Sequence, residues 1–232
     1  MTAHLTRRDA RPVRRSAAVL RPPATTRSAV TALVTVVVVL AAGGVLHASA
    51  VDLGVTAALN ALHVGPIAVL TNVVYTVFSP VEAVLLTAAA TAVVWVVRRD
   101  VRPAAAFAVV VAGTWLPSAV VKILVDRHRP DLAQLPHPVS PAQVDASYPS
   151  GHAVFITAVA IGVVLLLADT RAARTARVVV PIVVVVLLLS LLVDGVHFPT
   201  DVLASVGWAL GVAPFVRAVW LRLIAPRIPL LR

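Results

Sequence analysis

Long runs of apolar residues dominate this chain and restrict what it can fold into. One run, PIVVVVLLLSLLV, extends over residues 181–193 without a charged side chain. Of all residues, 59% are hydrophobic, far above the usual share of about 45–50% in soluble domains. Runs this long are typical of helices that cross a lipid bilayer. The chain is therefore predicted to be an all-α polytopic membrane protein with little soluble mass.

Six segments approach or reach the roughly 17–25 residues that a membrane-spanning helix requires. We predict a bundle of six transmembrane helices near residues 29–46, 80–97, 103–121, 151–168, 178–193 and 202–219. A seventh apolar stretch, GPIAVLTNVVYTVF (65–78), is short and follows a more polar segment. We expect an interfacial or re-entrant helix there rather than a span.

The positions of the 19 arginines indicate the orientation of this bundle. Seven precede the first span, three lie in RRDVR (98–102), three in RAARTAR (171–177) and four follow Val216. With six spans, these four groups fall on one side of the membrane, which the positive-inside rule makes cytoplasmic. We therefore expect a multi-pass protein of the plasma membrane with both termini in the cytoplasm.

The chain is expected to form one membrane domain (28–220) between a basic, disordered tail (1–27) and a short basic tail (221–232). The sequence HASA (47–50) resembles a signal-peptide cleavage site. The apolar stretch before it is about 18 residues long and exceeds the roughly 7–15 of such peptides, so we expect the first span to be retained. The chain has no cysteine, which excludes disulfides and thiolate chemistry. Its net charge of +10 follows the membrane topology, so no nucleic-acid partner is expected.

The same topology brings three polar stretches to the outer face of the membrane. They are KILVDRHRP (122–130), YPSGH (148–152) and SLLVDGVHFPTD (190–201). Lys122, Arg127 and Arg129 depart from the cytoplasmic bias of the other basic residues. Their ammonium and guanidinium groups suit a phosphate or a carboxylate.

The other two stretches supply an anion site and two histidines. Ser150 is a candidate N-cap, and Gly151 opens a helix whose free N–H groups can hold an anion. His152 stands beside that site and can exchange a proton. His197 and Asp201 are four residues apart, so they can meet on one helical face, where the carboxylate orients the imidazole. Together these residues are suited to phosphoryl transfer, with one histidine as nucleophile and the other as acid.

These stretches resemble the three motifs of the type 2 phosphatidic acid phosphatase (PAP2) superfamily, which also includes undecaprenyl-pyrophosphate phosphatases and vanadium haloperoxidases. KILVDRHRP fits K-x6-R-P, YPSGH contains P-S-G-H, and SLLVDGVHFPTD fits S-R-x5-H-x3-D with one mismatch. The resemblance covers about residues 52–220.

The resemblance implies a six-helix membrane lipid phosphatase that needs no metal and no cofactor. His197 would form a phosphohistidine, Asp201 would orient it, and His152 would protonate the leaving group. The phosphoryl oxygens would be held by Lys122, Arg129, Ser150 and the N–H of Gly151. The substrate would be a lipid phosphate or pyrophosphate at the outer leaflet, such as undecaprenyl pyrophosphate, another polyprenyl phosphate, phosphatidic acid or phosphatidylglycerol phosphate.

Leu191 stands where the third motif of the family has an arginine. A guanidinium bonded to a phosphoryl oxygen contributes roughly 1.5–3 kcal/mol, so its absence would lower the rate by roughly one to two orders of magnitude. Arg127 is a residue that could compensate. Two further hypotheses stay open: a phosphotransferase that passes the group to an acceptor alcohol, and a catalytically weak protein that binds lipid phosphates.

Overall fold

The computed structural model of the protein describes residues 17–231. In this part of the chain all regular structure is helical, and no β-strand is present. The α-helices are α1 (Thr25–Leu46), α2 (Leu53–Asn60), α3 (Gly65–Val77), α4 (Pro80–Arg98), α5 (Val101–Trp115), α6 (Ser118–Val125), α7 (Gly151–Leu167), α8 (Ala173–Val193) and α9 (Pro199–Val219). The predicted all-α class is confirmed.

Five helical segments are long and apolar enough to cross a bilayer. They are α1, α4, the broken helix formed by α5 and α6, α8, and α9 with its continuation to Arg227. Helix α7 is also apolar but has 17 residues, so it is about 26 Å long at 1.5 Å per residue. Each segment that the sequence predicts as a span is helical here. Pro117 separates α5 from α6, as expected of a residue that lacks a backbone N–H.

Helices α2 and α3 occupy the stretch between the first two long helices. They meet at a bend of 118° and pack against α8. Gly65, the first residue of α3, has a φ of 50°, a left-handed conformation that glycine adopts without a steric penalty. By its geometry the pair is either a broken span or a re-entrant segment. The re-entrant form agrees with the helix that the sequence predicts at 65–78.

Helices α1, α5, α7 and α9 form the centre of the bundle, with α4 packed on α5 and α8 packed on α7. Two glycines permit close contact between these helices. A Cβ on Gly211 in α9 would lie 2.0 Å from Oγ1 of Thr35 in α1, and one on Gly162 in α7 would lie 2.7 Å from the Phe107 ring in α5. Small residues at such contacts are typical of helix pairs in membranes.

The sequence predicts a disordered tail over residues 1–27, but the described part of this segment is ordered in the structure. Residues 1–16 lie outside the described residues. After them, Ala18–Leu20 form a 3-10 helix that contacts α5 and α7, and Val19 is fully buried. An apolar side chain seated in the core orders this segment, and α1 already begins at Thr25. The predicted C-terminal tail likewise continues as short helical turns through Leu231.

Arginine-rich segments lie together at one end of the bundle. Arg21 pairs with Asp169 in the connection between α7 and α8, at 2.8 Å. Arg222, which follows α9, donates to the carbonyl of Pro23 at 3.2 Å. The opposite end, where α6 and α8 end and α7 and α9 begin, carries the three polar stretches.

Candidate active site

The three polar stretches contact one another at this opposite end of the bundle. Arg129, in the first stretch, donates to the carbonyl of Val196 in the third at 2.7 Å. Ser147, which precedes the second stretch, donates its N–H and its hydroxyl to the carbonyl of Arg127. Its hydroxyl also lies 3.0 Å from the carbonyl of His128. Residues that are distant in the chain are thereby brought into one site.

His197 lies in the turn between α8 and α9 and is fully buried. Its Nδ1 is 3.7 Å from Oδ2 of Asp201, slightly beyond hydrogen-bond range. Within the described part of the chain, neither of its ring nitrogens has a hydrogen-bond partner. With Asp201 beside Nδ1, the other nitrogen, Nε2, is buried and has no hydrogen-bond partner among the described residues.

Burial, together with the positive charges of Arg129 and Lys122, lowers the pKa of His197 to about 4. The neighbouring Asp201 acts in the opposite direction but is outweighed. The imidazole of His197 is therefore neutral near pH 7, and an unprotonated ring nitrogen is the form that can act as a nucleophile.

Asp201 is held in place by two donors. Its Oδ2 accepts the backbone N–H of Phe198 at 2.8 Å, and its Oδ1 accepts from Arg127 at 2.6 Å. Arg127 also donates to Asp52 at 3.1 Å and lies 4.0 Å from the centre of the Phe198 ring. Its side chain is 1% exposed. Because both carboxylate oxygens of Asp201 accept hydrogen bonds, its orientation towards His197 is fixed.

This geometry does not fit the compensating role suggested for Arg127. Its four terminal N–H groups are occupied by acceptors on residues other than a ligand, namely Thr200 and Asp201 at Nη1, and Asp52 and the carbonyl of Ser49 at Nη2. Arg127 is the counter-ion of two buried carboxylates, so its guanidinium cannot replace the missing motif arginine at a phosphoryl group.

Leu191 is fully buried in an apolar cluster where α7, α8 and α9 meet. The cluster also contains Ala153, Ile156, Leu188, Leu192 and Val202. No cation occupies this position among the described residues of the cluster. The site therefore relies on other groups for its positive charge.

Lys122 and Arg129 line a cavity of about 260 Å³ together with Gly151 and His152. Both cations pair with the carboxylate of Asp145: Lys122 through Nζ, and Arg129 through Nη2 at 2.7 Å. Burial acts to raise the pKa of Asp145, but the hydrogen bond from Lys122 and the charge of Arg129 outweigh it and hold that pKa well below its usual range. Asp145 is therefore ionised at neutral pH.

The start of α7 forms another wall of this cavity. Ser150 caps the helix by accepting the N–H of Ala153 at 3.3 Å. The Nε2–H of His152 donates to the carbonyl of Tyr75 at 3.1 Å, and the two rings stack with centroids 4.3 Å apart. Because a carbonyl only accepts, the proton of neutral His152 is on Nε2, which leaves Nδ1 for proton exchange. Gly151 contributes a helix-terminal N–H group that suits an anion.

Tyr148 connects this segment to the first helix. Its hydroxyl donates to the carbonyl of Val39 in α1 at 2.7 Å. Burial, reinforced by the charge of Asp201, raises the pKa of Tyr148 to about 12. The hydroxyl therefore stays protonated, and the bond anchors the start of α7 to the bundle.

A second polar cavity, of about 580 Å³, adjoins the first. Tyr75 and Gln143 line both cavities. The second contains buried Asp194, whose Oδ1 is 3.5 Å from Nε2 of His63. Burial raises the pKa of Asp194. Among the described residues that line this cavity there is no lysine or arginine, unlike the cavity at Lys122.

An apolar groove of about 650 Å³ runs between α4 and α5. Small side chains of both helices form most of its walls, including Ala88, Ala92, Ala104, Ala105, Ala108 and Ala112. Trp115 lines both this groove and the 260 Å³ cavity. The groove and the polar cavity therefore lie beside the same side chain, Trp115.

Two acidic residues of the site, Asp52 and Asp145, lie outside the sequence motifs and are not predicted from them. One feature of the sequence does point towards acidic residues at this site. The chain has ten acidic residues, and cations placed at the membrane end of a bundle require counter-ions. Seven of the ten lie on the predicted outer face with Lys122, Arg127 and Arg129, so charge matching would have included Asp52 and Asp145 without singling them out.

Comparisons with known proteins agree with the motifs. Residues 103–224 match the model of the PAP2 superfamily. The chain is similar to the crystal structure of a transmembrane PAP2-type phosphatidylglycerolphosphate phosphatase from Bacillus subtilis, with a TM-score of 0.65 and 20% sequence identity. The similarity covers 80% of this chain and 92% of that one, and at this identity it concerns the fold. No curated protein sequence matches the chain.

Proposed function

The chain belongs to the PAP2 superfamily, and from this premise we propose that it is an integral membrane phosphatase acting on a lipid phosphate or pyrophosphate. The observation that carries the proposal is the state of His197. Its imidazole is neutral near pH 7, Asp201 lies beside Nδ1, and Nε2 has no hydrogen-bond partner in the described structure. Lys122 and Arg129 also lower the pKa of His197, so the charges of both cations act on its ring.

The proposed reaction has two steps. In the first, Nε2 of His197 attacks phosphorus and the bond to the leaving oxygen breaks, while His152, which takes up a proton on Nδ1 when the anionic substrate binds, donates that proton to the leaving oxygen. Asp201 stabilises the positive charge that develops on the ring of His197. Lys122 and Arg129 balance the charge on the phosphoryl oxygens, and their electrostatic effect is largest where water is excluded.

In the second step, water attacks the phosphohistidine. His152 takes a proton from the water, the bond between Nε2 and phosphorus breaks, and inorganic phosphate leaves. His197 returns to its neutral form and His152 to its protonated form. Over a full cycle both histidines therefore return to the protonation states in which they began, and no cofactor enters either step.

The apolar groove supports a lipid rather than a soluble substrate. A chain lying between α4 and α5 would reach Trp115, which also lines the cavity of Lys122 and Arg129. The phosphate would then lie at the polar site while the acyl or prenyl chain stays among apolar side chains. Binding an apolar chain contributes about 0.8 kcal/mol for each methylene that is buried.

The proposed topology has six spans, formed by α1, α4, α5 with α6, α7, α8 and α9, with α2 and α3 as a re-entrant pair. The basic segments at the opposite end of the bundle support a cytoplasmic location for that end. Both termini would then be cytoplasmic, and the site would open at the extracytoplasmic side of the plasma membrane.

A lipid panel tests the proposed function. Purified protein should release inorganic phosphate from at least one of undecaprenyl pyrophosphate, phosphatidic acid and phosphatidylglycerol phosphate, without added metal, and vanadate should inhibit the release. The variants His197→Ala and His152→Ala should each reduce the release to background. Wild-type turnover in both variants would refute the mechanism.

One observation favours a second candidate function. Leu191 lies in an apolar cluster and Arg127 is bound to carboxylates, so the site has fewer side-chain cations than the family motifs supply. A site of this kind suits a protein that binds lipid phosphates and turns them over slowly or not at all. Saturable binding of a lipid phosphate, without phosphate release over prolonged incubation, would identify this function.

A further inference from the structure

The carboxylate of Asp145 lies at the two cations that the proposed function assigns to the phosphoryl group. One oxygen pairs with Nζ of Lys122, and the other accepts from Nη2 of Arg129 at 2.7 Å. A carboxylate and a phosphoryl group present similar charged oxygen acceptors to an ammonium and a guanidinium. The structure therefore contains an internal anion at the place where a substrate anion would bind.

Asp145 is less constrained than its partners. Its side chain is 55% exposed, against 20% for Lys122 and 11% for Arg129. It lies in the irregular segment before α7, and the adjacent Val144 is 99% exposed. Arg129 also donates its Nε–H to the backbone carbonyl of Asp145 at 3.0 Å, so the carboxylate can leave the two cations by rotation of its side chain while the backbone stays in place.

We propose that Asp145 is a displaceable internal anion that makes the site selective for substrates with two or more negative charges. With Asp145 in place, the charges of Lys122, Arg129 and Asp145 sum to +1, and with Asp145 displaced they sum to +2. A phosphomonoester, with a second pKa near 6, carries nearly two negative charges at pH 7. It can therefore neutralise both cations once the carboxylate has left.

A phosphodiester is at a disadvantage in the same exchange. It carries one negative charge, as the Asp145 carboxylate does, so replacing that carboxylate brings no gain in charge. Asp145 would thus keep the site clear of phosphodiester lipids, which surround a membrane protein in large excess. The inference rests on the proposed function, because it concerns the same phosphate site.

The variant Asp145→Asn tests this role, since it keeps the size of the side chain and removes its charge. Asp131→Asn is the matched control. Asp131 lies in the same loop, and its hydrogen-bond donors among the described residues are the N–H of Ala133 and the side chain of Gln134. Asp145→Ser serves as a second variant in case the amide disturbs the loop.

Each protein is placed in bilayer nanodiscs and assayed in three ways. The kcat and KM are measured with a lipid phosphomonoester, the affinity for inorganic phosphate is measured by calorimetry, and phosphatidylglycerol is added as a competing phosphodiester. For Asp145→Asn and Asp145→Ser we expect KM and the dissociation constant of phosphate to fall about threefold to fivefold. Phosphatidylglycerol should become a competitive inhibitor, and Asp131→Asn should behave as the wild type.

An unchanged or higher KM in both Asp145 variants, or a fall in kcat with no gain in phosphate affinity, would overturn the inference. Either result would show that Asp145 positions Lys122 and Arg129 for the reaction. The proposed function fails separately, if the wild-type protein releases no phosphate from any lipid. The calorimetric comparison of phosphate affinity still decides the role of Asp145 in that case, because it requires no turnover.

Discussion

Arg127 donates to the carboxylate of Asp201 at 2.6 Å, with both side chains buried. The same guanidinium binds Asp52, and Asp201 lies beside His197. A row of charged contacts therefore extends from the start of α2 to the proposed nucleophile. Arg127 acts in this row by positioning Asp201, whereas Arg129, two residues later, lines the phosphate cavity.

Replacement of Arg127 and replacement of Arg129 should have different effects on the stability of the protein. Arg127→Met leaves two carboxylates without their counter-ion, and removal of one partner from a buried ion pair costs about 3–5 kcal/mol. We expect a lower temperature of unfolding and loss of activity together. Arg129→Met should lose activity with a much smaller change in unfolding temperature. Thermal unfolding of both variants in the same detergent measures the contrast, and equal unfolding temperatures would contradict it.

The pKa of His197 should be directly measurable. Because burial and nearby cations lower that pKa to about 4, a nuclear magnetic resonance titration of histidine-labelled protein should show that the ring of His197 is still neutral at pH 5. The signal should be absent from His197→Gln. A midpoint near the ordinary value of about 6.5 would show that the ring is solvated or that Asp201 dominates its surroundings.

The same lowered pKa has a consequence for stability. Below about pH 6.5 the unfolded chain protonates His197 while the folded protein does not. The contribution of this residue to stability is therefore fully present above about pH 6.5, and it decreases as the pH falls towards 4. Unfolding temperatures measured from pH 7 to pH 4.5 should fall less steeply in His197→Gln than in the wild type. Parallel curves would contradict the assignment.

The apolar groove should discriminate between substrates by chain length. Ala108→Phe fills the groove between α4 and α5. Loss of contact with about two methylenes would lower kcat/KM for a long-chain phosphatidic acid about tenfold, while a short-chain analogue should be hydrolysed at the wild-type rate. Val183→Phe is the control, since Val183 lies on α8 and is 48% exposed. Equal losses with both chain lengths would argue against a chain in this groove.

Lys122 should contribute to transition-state binding. A hydrogen bond to a charged group is worth about 1.5–3 kcal/mol, so Lys122→Gln should lower kcat/KM by roughly 10- to 100-fold. Arg102→Gln is the control, because Arg102 pairs with Asp100 at the opposite end of the bundle. A loss in Lys122→Gln no larger than in the control would exclude Lys122 from the phosphate site.

The fold was largely predictable because long apolar runs and proline positions determine where membrane helices lie. His152 and Asp201 lie in the first turns of helices. His197 lies in the short turn just before α9, so it meets Asp201 across the start of that helix and not on one helical face. The order of the described N-terminal segment was not predicted, because it depends on a single buried side chain, Val19.

The partners of the cations could not be predicted in the same way. Arg127 and Arg129 are two residues apart in a segment without helical periodicity, and contacts with distant parts of the chain decide their directions. Asp52 reaches Arg127 from the start of α2, and Asp145 reaches Arg129 from the loop before α7. Such pairings depend on tertiary packing, so motif spacing did not predict that Arg127 pairs with two buried carboxylates.

Detection of a phosphorylated histidine tests the central claim most directly. Wild-type protein is mixed rapidly with a radiolabelled lipid phosphate, quenched in denaturant within one turnover, and digested for mass spectrometry. We expect an acid-labile phosphoryl group on His197, formed at a rate no slower than kcat and absent from His197→Ala. Steady phosphate release with no label on His197, or with the label on another residue, would contradict the proposed mechanism.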